Sequence, residues 1–188
     1  MLQLEHFLGK GATRLCFYHP ETPDKCVKVA MRHKNIPQLQ HELTAAQACQ
    51  SALGDYLPGY ETELVRTNLG PGLVCEIIRN DDGSVAPSLA TFVQHTPMDK
   101  RLMAQLALFA KKVIQHNIPL YDFNPENFVV QQRNGRYILR LTDLKTYNNY
   151  KPWTYMKLER LIPAISRLIV KRRLNRLFKW VETYAKIV

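Results

Sequence analysis

The dipeptide Asn134-Gly135, which separates two apolar runs, constrains the fold of this chain more than any other short stretch. The runs are NFVVQQ (127–132) and RYILRLT (136–142). Asn-Gly is the strongest two-residue signal for a β-hairpin, because the tight turn between twisted strands needs positive φ angles that Asn and Gly adopt readily. The sequence therefore predicts an antiparallel hairpin in the second half of the chain.

The order of the remaining elements predicts an α+β fold. The polar stretch DDGSVAPS (81–88) is the best candidate for a link between two lobes. Before it the pattern favours strands, and after it helices, so a strand-rich first half precedes a helix-rich second half. The expected strands lie in 4–30 (three), 59–67 and 72–80, and the expected helices in 36–53 and 98–117, followed by a helical C-terminal remainder.

Composition places the chain among ordinary globular proteins, with 46% hydrophobic and 22% charged residues in a length suited to one domain. The first residues lack a cationic start followed by a long apolar run, and no uncharged apolar stretch approaches the length of a membrane span. We therefore expect a cytoplasmic protein. The cysteines form no CxxC pair and no metal-binding spacing, which predicts reduced and mostly buried thiols at Cys16, Cys26, Cys49 and Cys75.

The formal net charge of +10 is concentrated at the C-terminal end. Residues 1–150 contain 16 Lys or Arg and 14 Asp or Glu, whereas residues 151–188 contain 10 and 2. The same segment has apolar residues at helical spacing, which favours a pair of lobe-forming helices with a solvated cationic face. This stripe comprises Leu158, Leu161, Ile165, Leu168, Ile169, Leu174, Leu177, Phe178 and Val181.

The alternative for this segment is attraction to an anionic membrane surface through Lys171, Arg172 and Arg173, at about 1 kcal/mol per basic residue. The protein would then lie peripherally at the inner membrane, or act as a basic adaptor that uses its fold only as a scaffold. Nucleic acid is disfavoured as a partner, because Trp153 and Trp180 do not form the repeated aromatic and basic pattern of a single-strand binder.

Two features of the first half fit the binding of phosphate groups. Gly9-Lys10-Gly11 lies between two predicted strands, where glycines let backbone N–H groups approach phosphate oxygens, although most such turns are simple hairpins. Lys28 stands in CVKVA (26–30), where alternation along a strand points it away from the flanking valines. Taken alone, Lys28 is better explained as a solvated lysine at a sheet edge.

Two acidic or amide motifs frame the predicted hairpin. Asp122 and Asn127 stand five positions apart in YDFNPENFVV (121–130), and Asp143 follows the hairpin in TDLK (142–145). Asp, Asn and Pro are common turn formers, so local structure explains each of these residues when it is taken alone. Their order along the chain, after the glycine loop and the lysine strand, is what indicates a function.

In this order the motifs resemble those of a small protein-kinase-like fold and, more narrowly, the YrbL-like family of PhoP-regulated bacterial proteins. LGKGATRLCFYHPETPDKCVKV (8–29) is similar to that family's glycine loop, Cys-aromatic strand, His-Pro turn and lysine strand. PENFVV and TDLK match its catalytic-loop and metal-loop positions, and WTYMKLERL (153–161) resembles its ending. The resemblance implies one compact bilobal domain over 1–188, with a strand-rich N-lobe (1–80) and a reduced helical C-lobe (81–188) that ends in the basic segment 151–188.

The resemblance also implies an ATP- and Mg²⁺-dependent phosphotransferase. Gly9-Lys10-Gly11 and Lys28 would hold the nucleotide phosphates, and Glu42, on the helix that follows the lysine strand, would orient Lys28. Without that partnership Glu42 would be an ordinary exposed helix glutamate. The acceptor would be a hydroxyl group of a sugar, a lipid head group, a small molecule or a protein.

The catalytic and metal-binding roles fall on the motifs around the hairpin. The interval between Asp122 and Asn127 matches the Asp-x-x-x-x-Asn spacing of kinase catalytic loops. By resemblance, Asp122 would orient the acceptor hydroxyl as a catalytic residue together with Lys28. Asn127 and Asp143 would bind Mg²⁺, which prefers oxygen ligands.

Several departures from the kinase pattern favour a second hypothesis, a nucleotide-binding regulator without turnover. Only 45 residues follow Asp143, and no Ala-Pro-Glu tripeptide closes an activation segment, which disfavours an extended peptide as acceptor. Three motif positions also differ. Leu144-Lys145 stands in place of Phe-Gly, and Arg14-Leu15 occupies the region of the missing third glycine. Leu120-Tyr121 stands where His-Arg usually precedes the aspartate, which disfavours only regulation by phosphorylation of an activation loop.

Overall fold

The computed structural model describes residues 1–145 and 163–187, and the first half of the chain forms a five-stranded antiparallel sheet. The strands are arranged in the order β1-β2-β3-β5-β4, which places β3 at the centre of the sheet. Their bounds are β1 (Phe7–Lys10), β2 (Arg14–Tyr18), β3 (Lys25–Ala30), β4 (Val65–Thr67) and β5 (Gly70–Glu76).

Alternation along β3 divides the two faces of the sheet. Val27 and Val29 pack in an apolar cluster with Phe17, Val74 and Leu4. Cys26 and Lys28 face the other side and line a cavity. Successive side chains of a strand point to opposite faces. One face of the sheet therefore packs in the apolar cluster, and the other face carries the side chains that line the cavity.

The helix that follows β3 belongs to two hydrophobic cores. It is α1 (Ile36–Leu53), whose bounds match the predicted helix. Leu39 and Leu43 pack with Leu73 of the sheet, whereas the later residues Cys49 and Leu53 join the core of the second half of the chain. The helix therefore connects the sheet with the C-terminal core.

The second half is built from helices around a two-stranded sheet. The predicted hairpin is present, and both turn residues have positive φ angles, 51° at Asn134 and 67° at Gly135. The elements are α2 (Leu89–His95), α3 (Lys100–Gln115), β6 (Phe128–Arg133), β7 (Arg136–Leu141) and α4 (Pro163–Tyr184).

Aromatic rings form the centre of the C-terminal core. Phe109 of α3 is fully buried, with its ring centroid 5.2 Å from that of Tyr56 and 5.3 Å from that of Phe128. The edge-to-face contacts add about 0.5–1.5 kcal/mol per pair beyond the burial of area. Phe123, in the loop before β6, packs on the same ring, so this core fixes the position of the loop that contains Asp122.

The predicted α+β class and the order of its main elements are confirmed. The short helix α2 escaped prediction, although Ser88 caps it by accepting a hydrogen bond from the backbone N–H of Thr91. Residues 81–88, the predicted link, form a turn closed by a bridge between Arg79 and Val85. The division into two lobes at this link stays a prediction.

The basic C-terminal segment is described from residue 163 onward, and there one helix, α4, runs through Lys171-Arg172-Arg173. The expected pair of helices stays a prediction, because the first part of the segment lies outside the described residues. Leu168 was wrongly placed in the apolar stripe, since 51% of it is exposed; the buried face consists of Val170, Leu174, Leu177 and Val181. Trp153, Leu158, Leu161 and the side chain of Ile165 lie outside the described residues.

Candidate functional site

A cavity of about 280 Å³ lies between the sheet and the end of the hairpin. Its lining includes Leu8 of β1, Gly11 of the glycine loop, and Thr142 and Asp143 after the hairpin. The other lining residues are Arg14, Cys16, Cys26, Lys28, Pro58, Cys75, Glu76, Ile77, Ile78, Val85, Ala86 and Val129. The cavity thus brings together the glycine loop, the lysine strand and the aspartate that follows the hairpin.

Lys28 and Glu42 form a buried ion pair at the inner end of this cavity. Lys28 Nζ donates to Glu42 Oε1 at 2.7 Å, and Tyr60 donates its hydroxyl proton to the same oxygen at 3.0 Å. Lys28 is 8% exposed and Glu42 is 0% exposed, so neither is the solvated surface residue that each would be in isolation. Lys28 also donates to the carbonyl oxygen of Thr142 at 2.7 Å, which ties β3 to the end of the hairpin.

Arg14 is a further member of the site, and no sequence motif selected it. Its guanidinium pairs with Glu42 Oε2 and, at 2.5 Å, with Asp143 Oδ1. Arg14 lies on β2 in the region where the third glycine of a kinase loop is absent, and it is 8% exposed. A local signal existed, because Arg14 shares its strand face with Cys16, which is directly opposite Lys28.

Three cations surround the carboxylate of Asp143. Burial acts to raise the pKa of Asp143, but the charges of Arg14, Lys28 and Lys145, with the hydrogen bond from Arg14, outweigh burial and lower the pKa below its ordinary value. The carboxylate is therefore ionised at neutral pH, as a metal ligand must be. Arg14 occupies Oδ1, and Lys145 Nζ lies 3.3 Å from Oδ2.

We expect Arg14→Met to make stability less dependent on pH in the acid range. A depressed carboxyl pKa contributes stability above the unfolded-state pKa, and this is lost as pH falls through the folded-state pKa. In Arg14→Met the pKa of Asp143 should rise, so the difference in unfolding free energy between the parent and the variant should shrink as pH falls. Urea unfolding at a series of pH values measures this difference.

The control for Arg14→Met is the same substitution in an Asp143→Asn background. Arg14 also touches Glu42, and a double-mutant cycle separates the two partners. The pH-dependent part of the Arg14 effect should disappear in the Asp143→Asn background, because the titrating group is gone. An undiminished pH dependence there would assign the effect to Glu42 instead of Asp143.

Lys145 forms ion pairs with both Asp122 and Asp143. Lys145 Nζ lies 2.5 Å from Asp122 Oδ2, between the two carboxylates. Burial acts to lower the pKa of Lys145, but the charges of Asp143 and Asp122 and their hydrogen bonds raise it, so the ammonium stays charged. The side chains Lys28, Glu42, Arg14, Asp143, Lys145 and Asp122 therefore form one chain of alternating charge.

Asn127 is beside this network, and in the described part of the chain its side chain makes no hydrogen bond to Asp143. Its Nδ2 donates to the carbonyl oxygen of Asp122 at 3.5 Å, a long hydrogen bond. Its own carbonyl oxygen accepts from the backbone N–H of Thr142 at 2.9 Å and from the hydroxyl of Thr142 at 3.2 Å. These hydrogen bonds hold Asn127 next to Thr142, the residue before Asp143. Asn127 and Asp143 therefore both lie at the same end of the β6–β7 hairpin.

The glycine loop has open space above it. A Cβ atom on Gly9 would meet nothing within 4 Å, and one on Gly11 would meet only the carbonyl oxygen of Arg14, at 3.8 Å. Neither glycine has a positive φ angle, so neither is required by the backbone or by neighbouring protein atoms. Lys10, which is exposed, extends from the same loop.

The end of β5 presents backbone groups to the apolar part of the cavity. Ile78 is 4% exposed and lines the cavity, and its N–H has no hydrogen-bond partner within the described part of the chain. An unpaired buried donor costs about 1–3 kcal/mol, so such groups usually have a ligand or water as partner. Apolar side chains of Leu8, Ala86 and Val129 surround this position.

Of the three basic residues predicted to contact a membrane, two are exposed to solvent and one packs against the protein. Lys171 and Arg172 are exposed on α4. Arg173 turns inward: it donates to the carbonyl oxygen of Tyr121 at 2.6 Å, and its guanidinium lies 4.7 Å from the centre of the Tyr121 ring. Arg173 therefore supports the loop that contains Asp122, and only its two neighbours extend to solvent.

Two features are absent from residues 1–145 and 163–187, the described part of the chain. Within these residues no cluster of three or more His, Cys, Asp or Glu side chains is placed to hold a metal ion. None of the helices in the same ranges is both long enough and apolar enough to cross a membrane.

The fold and the site define an α+β protein whose central strand carries a buried lysine, which pairs with a glutamate of helix α1 and shares a cavity with the aspartate after the hairpin. The chain belongs to the family described as "PhoP regulatory network protein YrbL", whose profile matches residues 1–182. The match covers both the sheet and the C-terminal helix α4.

Two curated relatives share part of this sequence. The chain is 26% identical over 129 residues to "Uncharacterized protein YrbL" of Escherichia coli (strain K12), and equally to the protein of the same name from Shigella flexneri. The aligned region covers 65% of this chain and 61% of each relative, so the chain spans about three-fifths of their length.

Proposed function

We propose that this protein binds a magnesium–nucleoside triphosphate complex in the cavity and transfers its terminal phosphoryl group to a hydroxyl acceptor. The observation that carries the proposal is the convergence of Lys28, Arg14 and Asp143 on one cavity of about 280 Å³ beside the open glycine loop. Phosphoryl transfer requires held phosphates, neutralised charge and an aligned acceptor, and little covalent chemistry from the protein.

The cavity has suitable regions for both parts of a nucleotide. The apolar region around Ile78 suits a purine ring, and the free N–H of Ile78 would satisfy a ring nitrogen acceptor. The polar region contains Lys28 and Arg14, which suit phosphate oxygens. The open space over Gly9 and Gly11 leaves room for phosphates to approach the backbone.

The donor set fits magnesium delivered with the nucleotide. Mg²⁺ is usually bound through one or two carboxylates together with substrate phosphates. The ionised Asp143 supplies a carboxylate, and Asn127, whose backbone carbonyl is bonded to Thr142 beside Asp143, would supply an amide oxygen. The metal would neutralise charge on the phosphates, while Asp143 and Asn127 fix its place.

The remaining residues have separate roles in this proposal. Glu42 and Tyr60 hold the ammonium of Lys28 in place for the phosphates. Asp122 accepts a hydrogen bond from the acceptor hydroxyl and takes up its proton as transfer proceeds. The acceptor is a sugar, a lipid head group, a small molecule or a protein hydroxyl.

A second function, nucleotide binding without turnover, is favoured by one observation. Both carboxylate oxygens of Asp143 already face protein cations, Arg14 at 2.5 Å and Lys145 at 3.3 Å. If those contacts persist with nucleotide bound, the cations replace the metal and transfer is slow. Incubation with γ-³²P-labelled ATP and a cell extract distinguishes the two functions, since only the enzyme labels an acceptor.

We expect ATP with Mg²⁺ to raise the melting temperature of the protein, and ATP with EDTA to raise it much less. Binding to the folded state alone stabilises by about 2.7 kcal/mol at a ligand concentration of 100 times Kd. Asp143→Asn should remove the metal-dependent part of the shift. Differential scanning fluorimetry measures all three conditions.

The matched control is Asp55→Asn, whose carboxylate is 94% exposed and does not line the cavity. This variant should keep the full response to Mg²⁺. The proposal fails if no purine nucleoside triphosphate changes the melting temperature of the parent protein under any metal condition.

A further inference from the structure

We propose that Cys26 and Cys75 form a reactive dithiol in the wall of the cavity, a modification site for small disulfides and for trivalent arsenicals. The two sulfur atoms lie 3.5 Å apart and share a hydrogen bond. Both residues line the cavity, so the pair faces an opening even though each residue is buried within the sheet.

The backbone of the sheet permits a disulfide at this position. Cys26 of β3 and Cys75 of β5 are directly opposite each other in an antiparallel pair. Opposite residues in such a pair have Cα atoms about 4.5 or 5.5 Å apart, and both spacings lie within the range that disulfides span. Rotation of the two side chains is therefore enough to bring the sulfur atoms to bonding distance.

The pKa values of the two thiols are shifted in opposite directions, and this difference indicates which thiol reacts first. The hydrogen bond shared with Cys75 lowers the pKa of Cys26, although burial opposes this effect. The same hydrogen bond and burial raise the pKa of Cys75 well above its ordinary value. Cys26 thus supplies the thiolate, which is the nucleophilic form of cysteine.

The reaction with a small disulfide RSSR balances in two steps. The Cys26 thiolate attacks one sulfur of RSSR, forms a mixed disulfide and releases RS⁻. Cys75 then loses its proton and attacks the Cys26 sulfur, which forms the Cys26–Cys75 bond and releases the second RS⁻. The protein is oxidised by two electrons, and RSSR is reduced to two thiols.

The modification should interfere with nucleotide binding, a consequence that rests on the proposed function. Cys26 lies two residues before Lys28 on the same strand face, and Cys75 lies directly before Glu76, Ile77 and Ile78 at the apolar end of the cavity. A bond between the two sulfur atoms alters the wall of the cavity between its apolar and polar regions. Bound nucleotide should in turn shield both thiols from reagents.

The test is to incubate the full chain with oxidised glutathione, alkylate the remaining thiols and measure the intact mass and the disulfide map. We expect two of the four thiols to be lost without a glutathione adduct, and a Cys26–Cys75 cross-link in the peptide map. Cys26→Ser and Cys75→Ser should lose this cross-link. Cys49→Ser is the matched control and should keep it, since burial raises the pKa of Cys49 to about 11 and Cys49 lies outside the cavity.

A second measurement on the parent protein does not depend on how the variants fold. Phenylarsine oxide bridges two close thiols, so one equivalent should protect two thiols from alkylation. Four alkylated thiols after both treatments, a cross-link through Cys16, or a stable glutathione adduct on Cys26 would each overturn the dithiol site.

Magnesium–ATP separates this inference from the proposed function. If nucleotide slows formation of the cross-link several-fold and the oxidised protein loses its thermal response to nucleotide, the results support both the dithiol site and nucleotide binding in the cavity. If the cross-link forms at an unchanged rate with nucleotide present, the dithiol site stands and the nucleotide proposal is contradicted.

Discussion

We expect Asp122→Asn to reduce phosphoryl transfer by about 10²–10⁴-fold, the range found when a general base is removed, and to leave the Kd for ATP within about twofold. The side chain of Asp122 contacts Lys145 and does not line the cavity in which the nucleotide is proposed to bind. Loss of its negative charge therefore removes the proton acceptor without removing a nucleotide contact. A labelled-phosphate assay and a thermal-shift titration measure the two quantities separately.

Glu126→Gln is the control for Asp122→Asn. Glu126 lies four residues later in the same loop and is exposed, so its substitution removes an equal charge from the same region. It should leave transfer unchanged. Equal rates of transfer in Asp122→Asn and the parent would remove Asp122 from the mechanism, and a large loss of ATP affinity would assign it to nucleotide binding instead.

The sequence predicted the part of the site that local patterns determine. Alternation along β3 correctly predicted that Lys28 lies on the face of the sheet opposite to Val27 and Val29. The register of a central strand with one apolar face is strongly specified. Glu42 could also be selected, since it lies on the same helical face as Leu39, Leu43 and Ala46. A carboxylate within an apolar helical stripe requires a buried partner.

The hairpin contains a further signal that was available from the sequence. In an antiparallel hairpin, the residue that precedes the first strand and the residue that follows the second lie at the same end. Asn127 and Thr142 are those residues, and two hydrogen bonds join them. The Asn-Gly turn therefore brings the loop of Asp122 and the aspartate at 143 together, which the separate motifs did not indicate.

The ion pairs that Arg14 and Lys145 form with aspartates of the second half could not be read from the sequence. Arg14 and Asp143 are 129 residues apart, and no periodic pattern connects a short strand of the first sheet with a loop in the second half. Lys145 contacts both Asp122 and Asp143, and its shorter contact is with Asp122, 23 residues before it in the chain. Such pairings depend on how the sheet packs on the hairpin, which is a tertiary property.

We expect Glu42→Gln to destabilise the fold by about 3–5 kcal/mol, the cost of breaking a buried ion pair by removing one partner. Glu42 is fully buried and faces two cations, so its neutral replacement leaves Lys28 and Arg14 without their shared carboxylate. Urea unfolding measures the change. The control is Glu61→Gln, whose exposed pair with Lys25 should contribute no more than about 1 kcal/mol.

Replacing all three members of this cluster distinguishes stability from function. Buried ion pairs and triads can often be exchanged for apolar side chains at little cost, because the desolvation penalty of the charges disappears with them. The triple variant Arg14→Met, Lys28→Met, Glu42→Met should therefore recover most of the stability lost in Glu42→Gln and still show no thermal response to magnesium–ATP. A nucleotide response in the recovered variant would mean that the buried charges serve the fold alone, and the nucleotide would have to be held by other residues.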